Sequence, residues 1–227
     1  MNLLQIARRV KSESGRSGTG PAALSTAAGD DLRIFNAAAD AWRELQMEPL
    51  NWAWMRSEAD KALTSGVCLQ TLALLGITDL ERWVEPTDEY QLTAYLASDP
   101  SQEWPLQKLS YETFRQRFLV GTHEAGSPQF VAFAKDGALL IGPKPDAAAY
   151  KVRGSYYTMP SELDDDDATP EMPERFHMIL VWMALMQVGA SDASAEHYAR
   201  ARESADVIHS ALVDSQGEKI RFEVRSM

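Results

Sequence analysis

The sequence predicts an α+β protein in which helices from both ends of the chain form one bundle and a small antiparallel β-meander is inserted between them. Amphipathic helical patterns lie near the start of the chain, and apolar helical patterns lie near its end. Between them is a strand-rich segment whose clearest feature is a hairpin pattern around Asp136-Gly137. Helices at both ends with strands gathered between them are typical of the α+β class.

The same patterns divide the chain into five parts, and its 227 residues are enough for one large domain or two small ones. The parts are the N-terminal helices of the bundle (1–50), a strand-rich middle (51–160) with the hairpin over 129–142, an acidic and proline-rich loop (161–172), the C-terminal helices of the bundle (173–213) and an extended tail (214–227).

Two helices are predicted in the first part. Apolar residues at helical spacing indicate a helix over 2–14, which a glycine- and proline-rich turn ends. A second apolar stripe indicates a helix over 30–47, with Asp30 or Asp31 as its cap. Both helices are expected to direct one face to the core of the bundle.

The middle part is predicted to be rich in strands. The stretches "VCLQTLALLGI" and "EYQLTAYLA" are plausible strands on either side of a turn region at Trp83. "SYETFRQRF" indicates a short helix capped by Ser110, with Tyr111, Phe114 and Phe118 facing inward. Apolar runs flank Asp136-Gly137, a pair suited to a tight hairpin turn, and "AAYKVRGSYYTMP" is predicted to follow as the next strand of the meander.

The predicted core rests on tryptophans and on the apolar helix after the acidic loop. Trp42, Trp52, Trp54 and Trp83 either form the main core or supply interface anchors. The helix that begins near Phe176 is apolar on all sides, which is typical of a buried helix. The predicted core comprises Trp42, Trp52, Trp54, Phe176, Ile179, Leu180 and Met183.

Charge and cysteine content narrow the classes of function. A net charge of −11 and a pI near 4.8 argue against a protein that grips phosphate backbones over a broad face. A single cysteine, Cys68, cannot form an intrachain disulfide and fits a reducing compartment. No apolar run approaches the roughly 20 residues that a bilayer span requires. We therefore expect a soluble protein made in the cytoplasm and without a membrane partner.

The aspartate run Asp164–Asp167 is the main candidate for chemistry. It suggests a metal site, but a calcium loop needs alternating carboxylates and a glycine bend, which this stretch lacks. A solvated loop that joins two parts of the protein is favoured, and a metal-dependent hydrolase that uses the run remains the enzymatic alternative. We predict no catalytic residue, metal ligand or cofactor elsewhere, because the four histidines are scattered without metal-ligand spacing.

Several stretches resemble the head-to-tail adaptor (connector or neck) proteins of tailed bacteriophages. "LLQIARRVKSESGRSGTGP" resembles the opening helix and turn of that family, and Trp42 with "NWAW" resembles its next helix and tryptophan signature. "FVAFAKDGALLIGPKPDAAAYKVRGSYYTMPSELDDDDATPEMPERFHMILVWMAL" resembles its hairpin, strand, acidic loop and Phe-His helix in that order. These motifs are signatures of packing and turns, and they cover well over half of the chain.

The resemblance implies a structural protein of the virion neck, without enzymatic activity. Copies of the chain would form a ring, typically of twelve, beneath the portal, with tail, nozzle or tail-terminator proteins below. DNA would pass through the lumen without specific binding, and acidic surface would keep it from adhering. A tail terminator or another neck protein is the nearest alternative, and a bacterial regulatory or scaffold protein with this layout is a more distant one.

Two segments are expected to make the contacts of such a ring. The tail is detached by Gly217 and alternates between polar and apolar residues, which suits strand addition to the portal or to a neighbouring copy. Its predicted contact residues are Lys219, Ile220, Arg221, Phe222 and Val224. The hairpin is expected to contact the next subunit through Phe130, Phe133, Asp136, Gly137 and Leu140.

Overall fold

A computed structural model describes residues 1–15, 18–86, 91–146, 149–189 and 195–216, and it confirms the α+β class. The chain divides into two compact units. The first unit combines Met1–Met55 with Pro160–Met227, and the second unit is Arg56–Met159. The second unit is therefore inserted into the sequence of the first.

The helices are α1 (Leu3–Glu13), α2 (Asp30–Gln46), α3 (Leu72–Leu75), α4 (Tyr111–Phe114), α5 (Met178–Gly189) and α6 (Ala195–Gln216). The strands are β1 (Arg56–Ala62), β2 (Leu69–Gln70), β3 (Leu80–Trp83), β4 (Thr93–Leu96), β5 (Asp99–Pro105), β6 (Gln107–Lys108), β7 (Phe130–Phe133), β8 (Leu139–Gly142) and β9 (Tyr150–Thr158). Short 3-10 helices lie at Leu24–Thr26, Ala53–Met55 and Glu174–Phe176, and a π-helical segment at Arg115–Leu119 continues α4.

The first unit is a bundle built around α5. This helix packs against α1, α2 and α6, and α1 also packs against α2. Because α5 has neighbours on several sides, its apolar residues are buried around most of its circumference, as the sequence pattern predicts. Within the described residues, no helix combines the length and apolar character needed to cross a membrane.

The starts of α1 and α2 are stabilised in different ways. Asn2 caps α1 in a reciprocal capping box with Gln5. Gly29 occupies the cap position of α2, so the prediction that Asp30 or Asp31 would cap it is wrong. Both aspartates lie in the first turn instead, where a carboxylate interacts favourably with the helix dipole.

The second unit contains two sheets that share one apolar core. One sheet has the order β1-β9-β4-β5, with β3 also paired to β9, and the other has the order β2-β8-β7-β6. All these pairs are antiparallel except β6 with β7. The main core draws on both sheets, with Ala59, Val152 and Tyr156 from the first and Leu139 and Ile141 from the second.

The hairpin is confirmed, but the meander beyond it is wrong. β7 and β8 pair in register around a turn in which Gly137 has φ of 80°. The next strand, β9, pairs with β1, β3 and β4 in the other sheet instead of with β8. Pro143 and Pro145 follow β8 and lack the N–H groups that ladder pairing requires, so the chain leaves the sheet there.

The structure also corrects the predictions for three shorter segments. Only Leu69–Gln70 of "VCLQTLALLGI" forms a strand, because Thr71 caps the short helix α3 that follows. Trp83 lies within β3 and not in a turn region. Ser110 caps α4 and Phe114 is buried, both as predicted, but Tyr111 is exposed.

Candidate assembly surfaces

The acidic loop folds over the start of α1. Leu3 N donates to Ala168 O at 2.8 Å, and Leu4 N donates to Asp166 O at 3.2 Å. Gln5 N donates to Asn2 Oδ1 at 2.9 Å. The first N–H groups of a helix have no partner within the helix, so the loop and the cap together satisfy donors that would otherwise need water.

The side chains of the loop reinforce this arrangement. Leu24 N donates to Asp166 Oδ1 at 2.7 Å, and Asn2 Nδ2 donates to Asp167 Oδ1 at 3.2 Å. Asp167 N donates to Asp165 Oδ1 at 2.8 Å, and this bond stabilises the turn within the loop. The run therefore acts as a joint that ties α1 and the segment after it to the chain that enters α5.

Metal binding finds no support in the part of the chain that the structure describes. No group of three or more His, Cys, Asp or Glu side chains there could hold an ion. His177 is buried, and its Nε2 lies 2.9 Å from Met172 O while its Nδ1 lies 3.1 Å from Met1 O. Burial raises the pKa of the Cys68 thiol, which disfavours a reactive thiolate.

We expect Asp166→Ala to lower the free energy of unfolding by about 1–2 kcal/mol, because Leu24 N would lose a charged acceptor. Asp166→Asn keeps an acceptor oxygen and should cost less. Asp164→Ala is the matched control, since Asp164 is exposed and bonds to no described residue. Urea unfolding of the three variants measures the difference, and equal losses for Asp166→Ala and Asp164→Ala would contradict the role of the carboxylate.

The predicted core residues of the first unit differ in burial. Trp42, Trp52, Phe176, Ile179 and Leu180 are buried. Trp54 and Met183 are half-buried. Trp83 belongs to the second unit, so the prediction that groups it with the other three tryptophans is wrong.

The three tryptophans of the first unit form a stack beside α6. The rings of Trp52 and Trp54 are 4.6 Å apart between centroids, and those of Trp42 and Trp54 are 6.3 Å apart. Trp52 Nε1 donates to Leu45 O at 2.8 Å, and the rings of Trp52 and His209 are nearly perpendicular, with 6.3 Å between their centroids. The stack therefore joins α2, the segment that follows it and α6.

The hairpin contributes more to its own unit than its predicted role suggests. Leu140 is buried in a small core with Ala132 and with Phe114 of α4, and Phe130 packs against this core. Phe133 packs against the main core, and Trp83 Nε1 donates to Gly137 O at 2.7 Å. Asp136 is exposed at the tip. Contact with a neighbouring copy stays a prediction for this tip.

The predicted tail contacts Lys219, Ile220, Arg221, Phe222 and Val224 lie outside the described residues.

The outer face of the first sheet carries a charged cluster. Asp60 on β1 accepts a hydrogen bond from Tyr95 Oη at 2.6 Å. Arg153 pairs with Asp60 at 3.2 Å and also with Glu103, and Lys151 lies 3.5 Å from Asp60. Arg153 also stacks over the ring of Tyr95. These contacts link β1, β9, β4 and β5 across the sheet.

The hydrogen bond from Tyr95 lowers the pKa of the Asp60 carboxyl below its usual value, and Arg153 and Lys151 act in the same direction against partial burial. A lowered folded-state pKa means that Asp60 stabilises the fold at neutral pH and loses this effect as pH falls through that pKa.

We therefore expect Asp60→Asn to be less stable than the parent chain at pH 7 and to approach it below about pH 4. Urea midpoints at pH 7 and pH 3 measure this difference. Glu58→Gln removes an exposed carboxylate from the same strand and serves as control. An Asp60→Asn penalty of the same size at both pH values would show that charge is not the cause.

The two edges of this sheet differ. β1 pairs with β9 over seven consecutive residues without a register shift, and no described strand pairs with its other edge. β5 forms the opposite edge, contains Pro100 and Pro105, and shifts register against β4. Proline is a common device that prevents strand addition at a sheet edge. Among the described strands of this sheet, only β1 offers a long and regular edge.

This edge and the charged cluster were not predicted from the sequence. "RSEADKA" alternates charged Arg56, Glu58 and Asp60 with small Ser57 and Ala59, which is a period-two signal. This signal is weak because the residues of β1 that point inward are small. Strand patterns are usually recognised by large apolar residues.

The comparisons with known proteins place the chain in a class. A family model described as SU10 adaptor protein matches residues 1–220. The chain belongs to that family, and its resemblance to phage head-to-tail adaptors is thereby confirmed. Membership indicates a structural component of a bacteriophage virion that interacts with other head or tail proteins. No curated protein matches the chain.

Proposed function

We propose that this protein is a head-to-tail adaptor whose copies form a ring, typically of twelve, beneath the portal. The ring joins the portal to the tail, lines the DNA exit channel and has no enzymatic role. The family match over residues 1–220 carries this proposal. The regular β1 edge and the exposed hairpin tip at Asp136 support it as surfaces for subunit contacts.

The charge distribution fits a channel through which DNA slides. Most of the net charge of −11 belongs to the first unit. An acidic lumen repels the phosphate backbone and so prevents DNA from adhering during passage. We therefore propose that surface of the first unit contributes to the channel wall.

The test is to mix the purified chain with portal rings of its phage and to image the mixture by negative-stain electron microscopy. We expect an added ring of density on one face of the portal. A free monomer in solution is compatible with the proposal, because the portal can template the ring. Failure to bind the portal would contradict it, and binding to the tail tube instead would identify a tail terminator.

A fourfold variant with asparagine at Asp164, Asp165, Asp166 and Asp167 separates the adaptor from the hydrolase alternative. Asparagine keeps an acceptor for Leu24 N, so the variant should still fold and bind the portal. A metal-dependent activity in the parent chain that disappears in the variant would support the hydrolase instead.

A further inference from the structure

The β1 edge presents a regular row of backbone groups. Leu63 N donates to Tyr150 O at 2.9 Å, so these two residues are a hydrogen-bonded pair of the β1–β9 ladder. This pair fixes which residues of β1 point their backbone groups toward β9. In an antiparallel ladder, residues point their N–H and C=O groups alternately toward one neighbouring strand and the other. The backbone groups of Glu58, Asp60 and Ala62 therefore point away from β9, toward a position that another strand can occupy.

The C-terminal tail has a sequence that complements this edge. Residues 218–225 read "EKIRFEVR", in which charged and apolar residues alternate from Lys219 onward. Set antiparallel to β1 with Glu58 opposite Arg221, the tail matches opposite charges on the outer face of the sheet. The facing pairs are Arg56–Glu223, Glu58–Arg221 and Asp60–Lys219.

The other face of the same register is also complementary. The apolar Ile220 and Phe222 face the small Ala59 and Ser57, so large side chains meet small ones. Glu218 faces Lys61, which adds a fourth pair of opposite charges. Ala59 belongs to the main core of the unit, so these apolar side chains would extend that core.

Neighbouring registers lose the complementarity. A slip of two residues in one direction sets Arg56 opposite Arg221, and a slip in the other sets it opposite Arg225. A slip of one residue moves the apolar side chains to the charged face of the sheet. Facing like charges destabilise a strand pair, so one register is selected.

We propose that residues 218–224 of one copy of this chain add to β1 of a neighbouring copy as an antiparallel strand. This inference rests on the proposed ring, because exchange of one segment from copy to copy is a head-to-tail contact, which closes into a ring when the rotation allows. Backbone hydrogen bonds supply affinity in such a contact, and the charge pairs fix the register.

Disulfide trapping tests the register in the full-length chain. Each copy carries three substitutions. Cys68→Ser removes the native thiol, and Ser57→Cys with Phe222→Cys introduces the two thiols to be linked. Residues 57 and 222 would form a non-hydrogen-bonded pair with Cα atoms about 4.5 Å apart, which a disulfide can bridge. Ser57→Cys with Arg225→Cys is the control, because it keeps Phe222 and all four charge pairs and lies about 10 Å out of register.

We expect the pair at 57 and 222 to give covalently linked multimers in rings assembled on the portal, and the control pair to give none. Only internally linked monomers would overturn the exchange between copies. An assembled ring without cross-links would overturn the inference and leave the proposed function intact. Absence of any ring with the parent chain would overturn both.

Charge reversal provides the second test. Glu58→Arg should weaken association of copies roughly tenfold, because it sets two cations opposite each other. Combining it with Arg221→Glu should restore association to within about threefold. Glu81→Arg, an exposed reversal on β3, should leave association unchanged. Failure of the double variant to recover would contradict the pairing.

Discussion

Trp52→Ala is expected to lower the free energy of unfolding by about 3–5 kcal/mol. Trp52 is fully buried, its ring stacks on Trp54, and its Nε1 donates to Leu45 O at 2.8 Å. Alanine would leave a cavity the size of an indole ring and an unpaired carbonyl at the end of α2. Urea unfolding followed by far-UV circular dichroism measures the loss of the helical unit.

Two phenylalanine variants separate the hydrogen bond from the ring. Trp52→Phe removes an indole N–H that donates to Leu45 O. Trp54→Phe removes a buried indole N–H for which the described residues provide no acceptor. Removal of an unsatisfied donor is stabilising and offsets part of the free-energy cost of burying a smaller ring. Trp54→Phe should therefore be the milder change. A larger loss for Trp54→Phe than for Trp52→Phe would contradict this account of the stack.

Gln70→Ala is expected to lower the free energy of unfolding by about 3 kcal/mol. Gln70 on β2 is fully buried, and its side chain organises the loop before it. Its Oε1 accepts from Thr64 N at 2.8 Å, and its Nε2 donates to Thr64 O at 3.0 Å and Val67 O at 2.7 Å. Alanine would leave three backbone groups without these partners and a small cavity in their place.

The geometry of Gln70 offers a sharper variant. Gln70→Glu keeps the acceptor for Thr64 N but places an oxygen against two carbonyl groups, so it should be at least as harmful as alanine. Gln107→Ala on β6, an exposed glutamine in the same sheet, serves as control and should change stability by less than about 0.5 kcal/mol. Urea midpoints compare Gln70→Ala, Gln70→Glu and Gln107→Ala. A tolerated Gln70→Glu would show that the hydrogen bonds donated by Gln70 Nε2 contribute little to stability.

The features that depend on neighbouring residues could be predicted from the sequence. α1, α2 and α5 follow from apolar spacing, and the β7–β8 hairpin follows from Asp136-Gly137 between two apolar runs. These patterns are local, so a window of a few residues contains all the information. The all-round apolar character of α5 also predicts its central place in the bundle.

The features that depend on distant pairing could not be predicted. β9 follows the hairpin in sequence but pairs with β1, whose residues lie nearly a hundred positions earlier. Trp83 is a tryptophan like those in the core of the bundle, but it lies in the other unit. The acidic loop caps α1 largely through carbonyl oxygens, which every residue carries, so no side-chain pattern reveals the contact. The carboxylate of Asp166 alone offers a side-chain signal, and its partner Leu24 is far away in sequence.

The entry and exit of the second unit lie side by side, because Arg56 at the start of β1 faces Tyr157 near the end of β9. Facing residues of an antiparallel pair are only about 4.5–5.5 Å apart at Cα. A short peptide can therefore bridge the gap, and the whole β module can be excised, lengthened or exchanged for another without rerouting the helices. The inserted module can in this way change in sequence and length while the helical scaffold stays the same.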